Sequence, residues 1–135
     1  MLSIVIIAVL SGVLLQVVKP SALKAKARDT QRISDIRRLQ AGLEMYFANN
    51  RTYPTTAGAW VSVGGTVPTG LSAFISPLPT PPTGGTAYGS YRYVSAGSSY
   101  TLAAQMEMAT SANGACPTTP TSLGFTTNCY TVTNP

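Results

Sequence analysis

The chain has no histidine, and only four of its 135 residues are acidic. The most common general base and the most common metal ligand are therefore both missing. No carboxylate pair has a spacing that suggests acid–base chemistry, no glycine-rich phosphate loop opens a helix, and no nucleophile has an evident base. No enzyme, cofactor or metal is expected. Charge of either sign is scarce, at 10% of residues against roughly 25% in an ordinary soluble domain. Cysteine occurs twice, as Cys116 and Cys129. Two cysteines without a histidine make a poor zinc site. A disulfide closing their Pro/Thr-rich loop is expected to add roughly 3 kcal/mol and points to an oxidising compartment.

The residues that are present are unevenly distributed. The net charge is +5, yet nearly all charged residues lie between Lys19 and Arg51. Beyond Thr52 only Arg92 and Glu107 are charged, in a sequence rich in Thr, Ser, Gly and Pro. Four segments follow: an apolar helix over 1–20, a basic amphipathic helix over 21–51, a Pro/Gly-rich connection over 52–89, and a sheet with a cysteine-bounded loop over 90–135.

Residues 1–18 carry no charge. That length is at the lower edge of a membrane-spanning helix, typically ~17–25 residues. A cleavable secretory signal would need a small-x-small site after the run, and Lys19-Pro20-Ser21-Ala22-Leu23 offers a poor one, so a retained apolar helix is expected. Pro20 should kink or melt it, with Gly12 a second weak point. Extended to residue 50, the helix would be ~75 Å long, too long to bury itself against the remainder of the chain. Its front half needs a bilayer or many copies of itself. Lys19, Lys24, Lys26 and Arg28 would place this flank in the cytoplasm by the positive-inside rule, whereas the cysteines argue for the opposite side.

Over 21–50, Ile33, Ile36, Leu39, Leu43, Tyr46 and Phe47 recur at helical spacing and form one apolar stripe. Asp29–Arg32 and Asp35–Arg38 are i,i+3 pairs on its flanks. The basic cluster has two readings. One is binding of nucleic acid or anionic lipid. The other, favoured because no aromatic residue interleaves the cations, is a solvated face with ion pairs within and between molecules. In the 52–89 connection, Trp60-Val61, Leu71, Phe74-Ile75 and Leu78 are expected to pin an ordered loop onto the stripe, and Gly64-Gly65 and Gly84-Gly85 are turn residues. Strands are expected at 91–95 and 100–108, joined by Ala96-Gly97-Ser98-Ser99, and again at 130–133. On the second strand Tyr100, Leu102, Ala104, Met106 and Met108 form the core face, and Thr101, Ala103, Gln105 and Glu107 the other. Helix and sheet should meet through Ile33, Ile36, Leu43, Tyr46, Phe47, Tyr100 and Leu102, an α+β fold.

The apolar helix, the proline at its exit, Ala27-Arg28-Asp29-Thr30-Gln31-Arg32-Ile33-Ser34-Asp35-Ile36, Leu43-Glu44-Met45-Tyr46 and Asn50-Arg51-Thr52-Tyr53-Pro54 together resemble the type IV pilin and pseudopilin family. The resemblance implies a ladle-shaped subunit, stored in the cytoplasmic membrane and assembled by a machine with a cytoplasmic ATPase acting in trans. The product would be an extracellular helical homopolymer serving adhesion, twitching motility or DNA uptake. Ile4, Ile7, Val9, Leu10, Val13 and Leu15 would then pack in the filament core. A pseudopilin or minor pilin of a secretion or competence machine, and a monomeric membrane-anchored binding domain, are the alternatives. The sequence departs from the family in two places. With Pro20 and Gly12 matched, the family's glutamate near the mature N-terminus falls on Ser3, and no acid precedes Asp29. The acidic calcium loop of the major pseudopilins corresponds to Leu78-Pro79-Thr80-Pro81-Pro82-Thr83-Gly84, which has no carboxylate.

Overall fold

The computed structural model describes residues 6–7, 19–64, 68–85, 89–114, 116–117, 125 and 127–135. Ile6 and Ile7 are helical and exposed. Gly12 and the expected packing residues Ile4, Val9, Leu10, Val13 and Leu15 lie outside the described residues. Among the described residues no helix is long and apolar enough to cross a membrane. The span expected over 1–20 falls almost wholly outside them.

One helix, α1, runs over Pro20–Asn50. Lys19 before it is extended, with φ −77° and ψ 100°, and Pro20 occupies the first turn. There its missing N–H is no loss and its fixed φ already suits a helix. Asn49 and Asn50 turn their side chains back onto the carbonyls of Met45 and Tyr46. Arg51 then ends α1 in the left-handed region at φ 56°, its N–H bonded to Phe47 O at 2.7 Å.

Asp29, Arg32, Ile36, Leu39, Gly42 and Leu43 are the buried residues of α1. Their spacing of three and four traces one face, and a four-stranded antiparallel sheet contributes to its cover. The strands are β1 (Val61–Ser62), β2 (Arg92–Ser95), β3 (Tyr100–Gln105) and β4 (Cys129–Thr133), neighbouring one another in chain order. In β2–β3, Tyr93 opposes Leu102 and Ser95 opposes Tyr100; in β3–β4, Leu102 opposes Val132 and Gln105 opposes Cys129. The core joins Ile36, Leu39 and Leu43 to Tyr91, Tyr93, Tyr100, Leu102, Ala104 and Met106, with Ile33 and Tyr46 partly buried against it.

Three expectations are corrected. Phe47 is 37% exposed, because Tyr53 is the residue that fills the core there and Phe47 stacks on its outer side, with centroids 4.7 Å apart. The second strand stops at Gln105 rather than 108, because Glu107 and Met108 direct their N–H groups to Asp29 instead of a strand partner. The face opposite the expected core face is also closed, since Ala103 and Gln105 are buried. A strand at Val61–Ser62 was not read from the sequence; two residues are too short for an alternation to register.

The 52–89 connection packs onto the helix through Leu71, Ile75 and Phe74, whose ring meets Tyr46 edge-on at 5.6 Å. Gly42 makes this possible: a Cβ there would lie 2.1 Å from Ile75 Cδ1 and 2.3 Å from Cγ1. Helix propensity alone would make Gly42→Ala stabilising by ~1 kcal/mol. Overpacking against buried Ile75 should reverse the sign and cost ~1–3 kcal/mol. Urea unfolding of Gly42→Ala and of Gly42→Ala/Ile75→Val checks this, with the second change recovering part of the loss.

Candidate functional site

All four carboxylates of the chain are used to fasten α1 to the sheet side of the molecule. Asp29, fully buried, accepts the backbone N–H of Glu107 on Oδ1 and of Met108 on Oδ2, both at 2.9 Å. It also accepts Nη1 of Arg32 at 2.7 Å. Glu107 takes a two-pronged contact from Arg28, Nε to Oε1 at 2.6 Å and Nη2 to Oε2 at 2.7 Å, and Nη1 of Arg32 at 3.0 Å. Farther along α1, Asp35 accepts the hydroxyl of Tyr91 at 2.5 Å. Glu44 accepts the hydroxyls of Tyr53 and Tyr100, the latter at 3.0 Å.

The Arg28–Asp29–Arg32–Glu107 cluster is electrically balanced, and all but Arg28, whose side chain is 24% exposed, are nearly dry. Side-chain exposure is 1% for both Asp29 and Arg32 and 6% for Glu107. The two-pronged Arg28 contact leads the influences that hold the Glu107 carboxyl down at about 2, with the Arg32 hydrogen bond and both positive charges adding to it against a desolvation that works the other way. Gly85, at φ +83°, lies over this carboxylate so closely that a Cβ would meet Oε2 at 2.2 Å. A glycine is thus required by conformation and by space. Nε and Nη2 of Arg32 are buried without a hydrogen-bond partner.

The tyrosines that reach these carboxylates stay protonated as donors. Burial, and then the bond to Glu44, raise the Tyr100 hydroxyl, and burial with the Asp35 contact raises that of Tyr91. Burial pushes Tyr93 to about 12, and its hydroxyl donates to Pro54 O at 2.7 Å.

A pH dependence follows. The folded Glu107 value lies below the ordinary 4.5, so its contribution is complete above about pH 4.5 and is lost as pH falls toward 2. The shift corresponds to roughly 3 kcal/mol. Urea unfolding should show a wild type well above Glu107→Gln at pH 5 and a gap that closes near pH 2. Parallel curves would refute the assignment.

The sequence placed Asp29–Arg32 on a flank of the apolar stripe, whereas the structure buries the pair under the end of β3. Asp35 bonds to Tyr91 rather than making the pair expected with Arg38. Glu107 was assigned to the strand face opposite the core, and Gly84-Gly85 to simple turns. One signal was available: Glu107 is the sole acid in the neutral half of the chain.

At the far edge of the sheet, Cys116 and Cys129 form a disulfide with Cα atoms 4.9 Å apart. Asn113 stands beside β4 like a strand residue, its side chain accepting from Thr131 N and donating to Thr131 O, both at 2.8 Å. Its backbone N–H reaches Cys129 O. An otherwise open sheet edge is thereby occupied.

No family model, no curated protein and no solved structure matches this chain. With every acid turned to the seam, the exposed cations of α1 stand without carboxylate partners among the described residues: Lys24, Lys26, Arg37 and Arg38.

Proposed function

We propose that the chain is a structural subunit of an extracellular type IV pilus filament, a helical homopolymer held together by its N-terminal apolar segments. One observation carries this reading. A 31-residue helix is fastened to a small sheet along one face only, and it continues a sequence whose first eighteen positions are uncharged. An apolar run of that kind needs an apolar medium. A membrane supplies it before assembly, and neighbouring copies supply it afterwards. The seam of hydrogen-bonded carboxylates ties helix to sheet, which suits a polymer under tension. The disulfide fits assembly outside the cytoplasm, and the resemblance noted in the sequence supplies the assembly machinery, with its ATPase acting in trans.

The test is a charge in the apolar run. Val9→Asp or Leu15→Asp introduces an unpaired carboxylate into an apolar bundle at a cost of several kcal/mol. Filament yield should collapse while the folded unit keeps the wild-type unfolding midpoint. Normal filament yield from either variant would refute bundling through this segment.

A further inference from the structure

We propose that Asn113–Gly114 is a self-modification site, where the backbone converts the Asn113 side-chain amide to a carboxylate at a rate the sheet edge controls. This goes beyond the filament reading and does not depend on it. Of the chain's asparagines, Asn113 is the one followed by glycine. The step needs no reagent but water. The backbone nitrogen of Gly114 attacks Cγ of Asn113, and its proton passes through solvent to Nδ2. The Cγ–Nδ2 bond breaks, ammonia leaves, and a cyclic imide is closed. Water then opens one of the two imide carbonyls, giving either aspartate or isoaspartate, in which the main chain runs through the side-chain carbon. Glycine obstructs the attack least, since no Cβ crowds its nitrogen. Both residues are exposed, so water reaches them.

Neither conformation nor space calls for a glycine at 114. Its φ lies outside the left-handed region, and among the described residues a Cβ there would meet only Thr131 Oγ1, at 4.0 Å. Gly42 and Gly85 differ, since a Cβ on either would collide. What glycine adds at 114 is an unhindered nitrogen. The amide it would attack is clamped. Oδ1 accepts the N–H of Thr131 and Nδ2 donates to Thr131 O, both at 2.8 Å. Losing Nδ2 forfeits the second bond, and a tetrahedral Cγ displaces Oδ1 from the first, so the clamp opposes the step. The Cys116–Cys129 disulfide and the bridge of Gly114 to Cys129 hold this segment against β4. Conversion opens the edge. A carboxylate accepts hydrogen bonds but donates none, so Thr131 O loses its donor and faces a negative charge. An unpaired carbonyl at the margin of β4 is the kind of group to which another strand adds.

The experiment incubates the full chain in non-ionic detergent at pH 8, with and without a thiol reductant. Mass spectrometry of the peptide holding Asn113 then follows the appearance of aspartate and isoaspartate. Two hydrogen bonds of ordinary net strength predict conversion roughly 30-fold slower in the disulfide-bonded chain than in the reduced one. Gly114→Ala should lose most of the conversion in the reduced chain and keep the wild-type unfolding midpoint when the disulfide is intact. Asn113→Asp, which mimics one product, should lower that midpoint. Equal rates with and without reductant overturn the control by the sheet edge. Undiminished conversion in Gly114→Ala overturns the role of the glycine, and an unchanged midpoint in Asn113→Asp overturns the opening of the edge. No conversion at Asn113 in the reduced chain overturns the proposal outright.

Discussion

Asp29→Ala should be the most damaging single substitution in the folded unit, lowering its unfolding free energy by about 3–5 kcal/mol. The reason lies in what the side chain leaves behind. Arg32, 1% exposed, loses its shortest contact, and the N–H groups of Glu107 and Met108 lose their acceptors. A buried cation short of a partner and two buried unsatisfied donors each incur a desolvation penalty that the native contacts had offset. The effect should be partly reversible by subtraction. In Asp29→Leu/Arg32→Met the stranded charge disappears along with the acid, and Arg28–Glu107 remains as a neutral pair. The double variant should therefore be more stable than Asp29→Ala. Urea unfolding by circular dichroism measures both. A double variant no better than the single one would show that the two backbone bonds, rather than the charge balance, hold the seam.

The second large effect is expected at Cys116→Ser. The disulfide closes a loop of sequence separation 13, and losing such a closure costs roughly 2–4 kcal/mol. Cys129 is fully buried at the start of β4, which pairs with β3 along its length. Among the described residues, the outer edge would then be held by Asn113, through three hydrogen bonds to Thr131 and Cys129, and by the bridge of Gly114 to Cys129. The variant's unfolding midpoint should drop, and reductant should bring the wild type down to the same value. A midpoint unchanged by either treatment would mean that Asn113 and the sheet suffice.

The parts of this fold that could be read from sequence are those governed by periodicity. Ile36, Leu39 and Leu43 at helical spacing, and Tyr100, Leu102 and Ala104 in alternation, become the two sides of the core. Each of those signals comes from one local segment. The seam could not be read in the same way, because it joins residues some 75 to 79 positions apart. Nothing within residues 27–36 distinguishes an acid that faces water from one that faces the turn after β3. Asp29 and Asp35 looked equivalent, each with an arginine three residues on, yet one ends beneath Glu107 and the other against Tyr91. Phe47 illustrates the same limit. It lies on the apolar stripe, but Tyr53 arrives from beyond the helix and takes the inner position. Gly42 and Gly85 are legible only in three dimensions, since one yields to Ile75 and the other to a carboxylate.

Polymerisation of the chain is tested most directly by electron microscopy of the material sheared from cells that make it. Thin, flexible filaments are expected, in which mass spectrometry finds this chain as the principal component, with Cys116 and Cys129 joined and with density at the filament axis for bundled apolar helices. A chain that stays monomeric in the membrane fraction, absent from any sheared filament, would contradict it.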